Sequence, residues 1–175
     1  MKNWLRLVTY TLLLATIWGL IPLPVSAQPF LPPHQTPMAI FSFSGTRPQD
    51  LGLQNGQLAA CPNSPNCVSS QAPVSDAIHY IAPLTFSGSA PAAIAQLKTL
   101  IEGLERTQIV QANETYLYAE FTSKLMGFVD DVEFYADDGA KVIHVRSASR
   151  LGQSDLGANR DRIEALRAAA QQVNL

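Results

Sequence analysis

Cysteine and histidine are scarce in this chain, with two and three copies among 175 residues. Charge is sparse as well, at 15%, and nearly balanced, with 12 basic against 14 acidic residues. A general nucleic-acid binder carries a marked basic excess, so that class is excluded. No histidine has a close-spaced ligating partner, so nothing calls for a metal, and no cofactor is expected. There is no Gly-x-Ser-x-Gly elbow and no other catalytic signature. No twin arginine precedes the first apolar run and no cysteine follows it, which argues against the twin-arginine export route and a lipoprotein anchor.

What is present begins with an address. Lys2 and Arg6 form a short basic region, Leu7 to Leu23 is mostly apolar, and Val25-Ser26-Ala27 offers small residues for a signal peptidase. Residues 1–27 therefore read as a signal peptide, with a mature chain from near Gln28. The competing reading is an uncleaved anchor, since the run approaches the roughly 20 residues that span a bilayer. Residues 28–57 are rich in Pro, Gln, Ser and Gly without sustained periodicity, and read as a flexible arm. Within it, Ala39-Ile40-Phe41-Ser42-Phe43 is an apolar patch able to dock, a passive linker being the simpler reading. Residues 58–175 are enough for one domain.

Both cysteines sit in the turn-rich Cys61-Pro62-Asn63-Ser64-Pro65-Asn66-Cys67. In an exported protein a disulfide is the natural reading, with modest benefit because the loop is short. A redox switch lacks the Cys-x-x-Cys spacing. A metal set completed by His79 and His144 is the other alternative.

Periodicity sets the architecture. A strand is expected over His79–Phe86, with Pro83 marking an edge or bulge. Ile94, Leu97, Ile101 and Leu104 recur at helical spacing from Pro91 to Arg106. Strands follow at Gln108–Gln111, Thr115–Thr122, Phe128–Tyr135 and Lys141–Ser147, the last two joined by the turn Asp137-Asp138-Gly139. Ile163, Leu166, Ala170 and Val173 mark a C-terminal helix that Asp155 or Asn159 caps. Short turns make neighbouring strands antiparallel. The expected fold is a two-layer α+β domain: a mostly antiparallel sheet of about five strands with two helices on one face.

Alternation then sorts the side chains. Leu117, Ala119, Phe121, Phe128, Val132, Phe134, Ile143, Val145 and Ser147 face the helices. Tyr116, Tyr118, Glu120, Asp131, Glu133, Tyr135, His144 and Arg146 face outward. Tyrosines among charges suit a partner surface; an ordinary solvated face with pairs such as Glu133 and Arg146 is the plainer reading. Asp130 falls inward and needs a cation, Arg150 or Arg160 first. The block Val145 to Glu164 holds four arginines between a strand and a helix. With Asp130 it makes either a salt-bridged corner or an anion site built from Arg146, Ser147, Ser149, Arg150, Asp155, Asn159 and Arg160.

Five pieces of sequence carry a resemblance. They are Cys61-Pro62-Asn63-Ser64-Pro65-Asn66-Cys67-Val68-Ser69-Ser70; Phe128-Val129-Asp130-Asp131-Val132-Glu133-Phe134; His144-Val145-Arg146-Ser147-Ala148-Ser149-Arg150; Ser154-Asp155-Leu156-Gly157; and Asn159-Arg160. Together, and in this order, they resemble the bacterial and plastid family called domain of unknown function 1499, from about Leu58 to the C-terminus. The resemblance implies that the cysteine loop, the acidic strand and the corner block belong to one design. It implies no activity. It also implies exported or membrane-linked settings, which puts a thylakoid lumen beside the periplasm.

Three functional readings compete. The first is an exported, non-catalytic binding or assembly factor that meets a protein or membrane-associated partner through Tyr116, Tyr118, Asp131, Glu133 and His144. The second is a receptor for a small anion at residues 146–162. The third is a serine hydrolase using Ser147 or Ser149 with His144 and Asp130 or Asp131. Against it, His144 and Ser147 alternate to opposite faces of one strand.

Overall fold

A computed structural model describes residues 43–175. The expected signal peptide and most of the arm, including residues 39–42 of the apolar patch, lie outside the described residues. The elements run β1 (Cys67–Ser69), β2 (Leu84–Thr85), α1 (Ala90–Glu102), β3 (Thr107–Ala112), β4 (Tyr116–Thr122), β5 (Val129–Asp137), β6 (Val142–Ser149) and α2 (Ala158–Gln172). The sheet order is β1-β6-β5-β4-β3, with β2 also on β6, and every strand pairing is antiparallel. This is the expected α+β fold.

Both helices cover one face. Ile94, Leu97 and Ile101 of α1 and Ile163, Leu166 and Ala170 of α2 pack with Leu117, Ala119, Phe121, Val132, Phe134, Ile143 and Val145. Each fully buried large aliphatic or aromatic side chain contributes about 1.5–3 kcal/mol. Pro91 lies in the first turn of α1, where its missing N–H removes no helical bond. The Asp138 carboxylate, in the β5–β6 turn, accepts the Ala90 N–H at 2.9 Å. The helix stops at Glu102, short of the expected Arg106, and Leu104 beyond it is exposed.

The segment 79–86 forms less strand than its pattern implies. Ile81, Leu84 and Phe86 are buried, but only Leu84 and Thr85 pair with β6, while Tyr80 bridges Ser69. Pro83 has no N–H to give a ladder. The free carbonyls go to α2: Arg160 reaches those of Ala77, Ile78 and Tyr80, and Arg167 those of Ala82 and Pro83. Two arginines on a helix thus replace a neighbouring strand.

Candidate functional site

The second face of the sheet is also buried. Tyr116, Tyr118, Asp131, Glu133 and Arg146, expected to meet solvent, are each at most 5% exposed. What covers them is the chain's own residues 43–58. Leu51 and Leu58 pack on Tyr116 and Tyr118. Gly45 has φ +63 and lies so close to Arg150 that a Cβ would meet that side chain at 2.9 Å. Only glycine fits there.

Polar contacts fasten this strap. The Arg47 Nε donates to Glu120 at 2.7 Å, and its guanidinium lies 5.8 Å from the centre of the Tyr118 ring. Gly52 N–H and the Tyr116 hydroxyl both donate to Glu133 Oε1 at 2.7 Å. Glu133 Oε2 meets only Arg146 Nη1, at 3.5 Å. Burial pushes the Glu133 carboxyl up, and the bonds from Gly52 and Tyr116 only partly oppose it. Arg146 Nε is buried without a hydrogen-bond partner among the described residues.

Arg150 is the best-satisfied cation of this face. Its Nε and Nη2 grip Asp131 as a fork at 2.9 and 2.7 Å, and Nη2 also reaches Glu120. Fork geometry of this kind is specific to arginine. The hydrogen bond to Asp131 pushes the Arg150 guanidinium up, against its burial. Glu120 is partly buried, which raises it, but the bonds from Arg47 and Arg150 outweigh burial and hold it below the usual range. Burial, then hydrogen bonds to Glu133 and Asp131, push the Tyr116 and Tyr118 phenols up. Glu120, Asp131 and Glu133 thus face Arg146 and Arg150, and the strap adds Arg47 at Glu120 and Asp50, whose charge acts on Glu133.

The corner residues divide between the two faces. Asp130 faces the helices as expected, but its partner is Arg162. Arg150 is engaged on the opposite face. Arg160 stands two positions from Arg162, about 200° around the helix, and points to the 77–80 carbonyls instead. Arg162 Nη1 also donates to Ser147 Oγ at 3.0 Å and Asn159 Oδ1 at 2.7 Å, and the guanidinium lies over Phe121. Asn159 Nδ2 donates to Asn66 O, Ser149 Oγ and Asp155 Oδ2. Asp155 in turn accepts the Gly157 and Asn159 N–H groups, fastening the first turn of α2. Its burial is outweighed by these bonds, which hold its carboxyl low.

His144 lies near neither Ser147 nor Ser149 in the hydrogen-bond pattern. Its Nδ1 is 3.2 Å from Ser70 Oγ, which accepts the Val145 N–H, and its ring stacks with Tyr135. Burial lowers its pKa. The hydrolase set is therefore not assembled. Phe128, expected inward, is partly exposed beyond the start of β5 and packs on Phe43.

Cys61 and Cys67 are joined, with Cα atoms 5.6 Å apart. His79 clamps this loop, its Nδ1 2.7 Å from Asp76 and its Nε2 3.3 Å from the Ser64 carbonyl. Both partners are acceptors, an arrangement that favours the doubly protonated ring. The bond to Asp76 raises its pKa accordingly. Among the described residues no group of three or more His, Cys, Asp or Glu is placed to hold a metal, and no helix is long and apolar enough to cross a membrane.

Three participants carried no readable signal of their role. Arg47 lies in an aperiodic arm, Asn66 in a turn, and Ser70 just past a three-residue strand. Arg162 was visible in the corner block, but choosing it over Arg160 needs the helix phase relative to the sheet.

A family model described as "Protein of unknown function (DUF1499)" matches residues 57–170. No curated protein and no solved structure matches the chain.

Proposed function

The chain belongs to the DUF1499 family of proteins of unknown function, and from that premise we propose that it is an exported, non-catalytic binding factor. Its outer sheet face receives a stretch of polypeptide that presents an arginine to Glu120 and apolar side chains to the tyrosines. One observation carries this reading: the face is already occupied by such a stretch, and residues 43–56 of that stretch lie outside the family match. The occupant shows what the face takes: a cation for Glu120 and Tyr118, a backbone N–H for Glu133, and apolar side chains beside Tyr116. The strap is neutral overall, Asp50 offsetting Arg47, so a replacement must bring a cation to Glu120 rather than net positive charge. The strap's ion pair is half-exposed on the Arg47 side, and exposed pairs hold weakly. A partner can therefore displace it.

Export rests on the basic and apolar N-terminus and is supported by the disulfide. Periplasm or thylakoid lumen is the compartment we assign. The anion-receptor reading is less favoured, because Arg150, Arg160 and Arg162 are all engaged by internal acceptors.

The test uses a fluorescent peptide with the sequence of residues 43–58, titrated onto the full chain. Arg47→Glu in the protein loosens the strap and should raise peptide binding; adding Glu120→Gln should remove the gain. Equal binding by wild type and Arg47→Glu would sink the reading.

A further inference from the structure

One end of the sheet is apolar where a connecting turn is ordinarily polar. Residues 123–128, between β4 and β5, read Ser-Lys-Leu-Met-Gly-Phe. Leu125 is 84% exposed, Met126 43% and Phe128 39%. Phe43, 43% exposed, sits on this turn: its ring is 5.7 Å from that of Phe128 and its N–H bonds the Met126 carbonyl. Pairing of Asp130 with Ser149 carries Phe128 opposite Leu151, itself 42% exposed. Five large apolar side chains thus share one end of the molecule, and contiguous patches of this kind mark interaction sites.

We propose that this end docks into the surface of a lipid bilayer. Leu125 and Met126 enter the interface, and Lys124 meets anionic headgroups. Three observations select lipid as the occupant. Lys124 is the only charged residue of the turn, the pattern of an interfacial anchor beside a basic residue. The turn's backbone is internally bonded: Gly127 N–H to Ser123 O, Ser123 N–H to Phe128 O, and Phe128 N–H to Ser123 Oγ. The groups so paired need no water. The N–H groups of Lys124, Leu125 and Met126 keep theirs at the headgroup level, so the turn enters the interface and not the hydrocarbon core. Finally, Phe43 brings the chain into the domain at this patch, about twenty residues after the Leu7 to Leu23 run. Twenty residues reach at most about 70 Å, so on the uncleaved-anchor reading the run keeps this end of the domain within that distance of a bilayer. This site shares only Phe43 with the strap; Lys124, Leu125 and Met126 belong to the β4–β5 turn, so a label at position 125 tests it separately from the peptide face.

The experiment places an environment-sensitive dye (NBD) on Leu125→Cys in the full-length chain. Cys61 and Cys67 are bonded to each other, so the new thiol alone is labelled. Ala140→Cys, in the β5–β6 turn at the other end of the sheet, is the control. Phosphatidylcholine vesicles with a minority of phosphatidylglycerol are added, with and without nitroxide lipid. Emission at position 125 should rise severalfold and be quenched by nitroxide, with position 140 unchanged. A position-125 signal as water-like as that at 140, whether or not the chain binds vesicles, overturns the proposal. So does a rise without vesicles that grows with protein concentration, which would assign the patch to a second copy of the chain.

Discussion

The two faces of this sheet are both buried, but by different physics. The inner face is covered by two helices through aliphatic and aromatic contact, with one arginine-centred network at its edge. The outer face is covered by a strap through a few charged and backbone hydrogen bonds, with Leu51 and Leu58 as its apolar packing. Apolar burial accumulates with area and is hard to undo piecemeal. A strap fastened by a half-exposed ion pair can open without the domain unfolding. On the proposed reading the inner face holds the fold, and the outer face is the one that exchanges its cover.

The largest effect that would sharpen this contrast lies on the inner side. Asp130→Ala leaves Arg162 without its carboxylate at a nearly buried site, and such a loss costs about 3–5 kcal/mol. Urea unfolding should show a lower midpoint at unchanged slope. A loss no larger than that of an outer-face variant would erase the distinction between the faces.

Glu133 is the outer-face counterpart and should behave differently. Glu133→Gln keeps an acceptor for Gly52 and Tyr116, and gives up only the 3.5 Å contact with Arg146. We expect a change within about 1 kcal/mol near neutrality. The pH dependence carries the sharper sign. Burial raises the folded carboxyl above its usual 4.5, so the folded state binds the proton more tightly than the unfolded chain. The resulting stability is fully present below 4.5 and is lost as pH rises through the folded value. The variant should flatten that slope in urea titrations, whereas an unchanged slope would assign it to another group.

His79 belongs to neither face and separates the edge of the sheet from both. Its folded pKa lies above the usual 6.5 because Asp76, then Ser64, accept from the ring while burial opposes. Its stabilisation is complete below 6.5 and declines as pH rises through the folded value. His79→Asn should remove that decline, read as the difference in unfolding midpoint on the two sides of the transition. The effect should be smaller than that of Asp130→Ala, because the clamp secures one loop.

The legibility of these features follows the range of the interaction. Alternation in Tyr116 to Phe121, the Asp137-Asp138-Gly139 turn and the spacing of Ile163, Leu166 and Ala170 are local, and each became the element expected of it. The cysteine pair was equally readable, because the expected export and the turn residues both favour closure. Three features resisted. Cys67–Ser69 is too short for any period to show. The 79–86 segment is strand-like in composition, but its carbonyls answer to Arg160 and Arg167, 80 or more positions away. Tyr116, Tyr118, Asp131 and Glu133 were correctly placed on one face, but alternation separates two faces without saying that both are covered. A strap held by Arg47 and Gly52 has no period and leaves no mark in the strands it covers.

The smallest expected effect is the one that bears most directly on function. Arg47→Ala removes the strap's only ion pair to Glu120, and that side chain is half-exposed. The global unfolding midpoint should scarcely move. Local opening should change, however, because Gly52 N–H is buried against Glu133 only while the strap lies flat. In the variant the Gly52 amide should exchange with deuterium faster, while amides of β5 and β6 keep their protection. Added salt should speed the same amide in the wild type and have less effect in the variant, since screening acts on the exposed pair. If Gly52 and the central strands instead exchange together, the strap is part of the cooperative fold. The outer face would then be a second core, and no partner could enter without unfolding the protein.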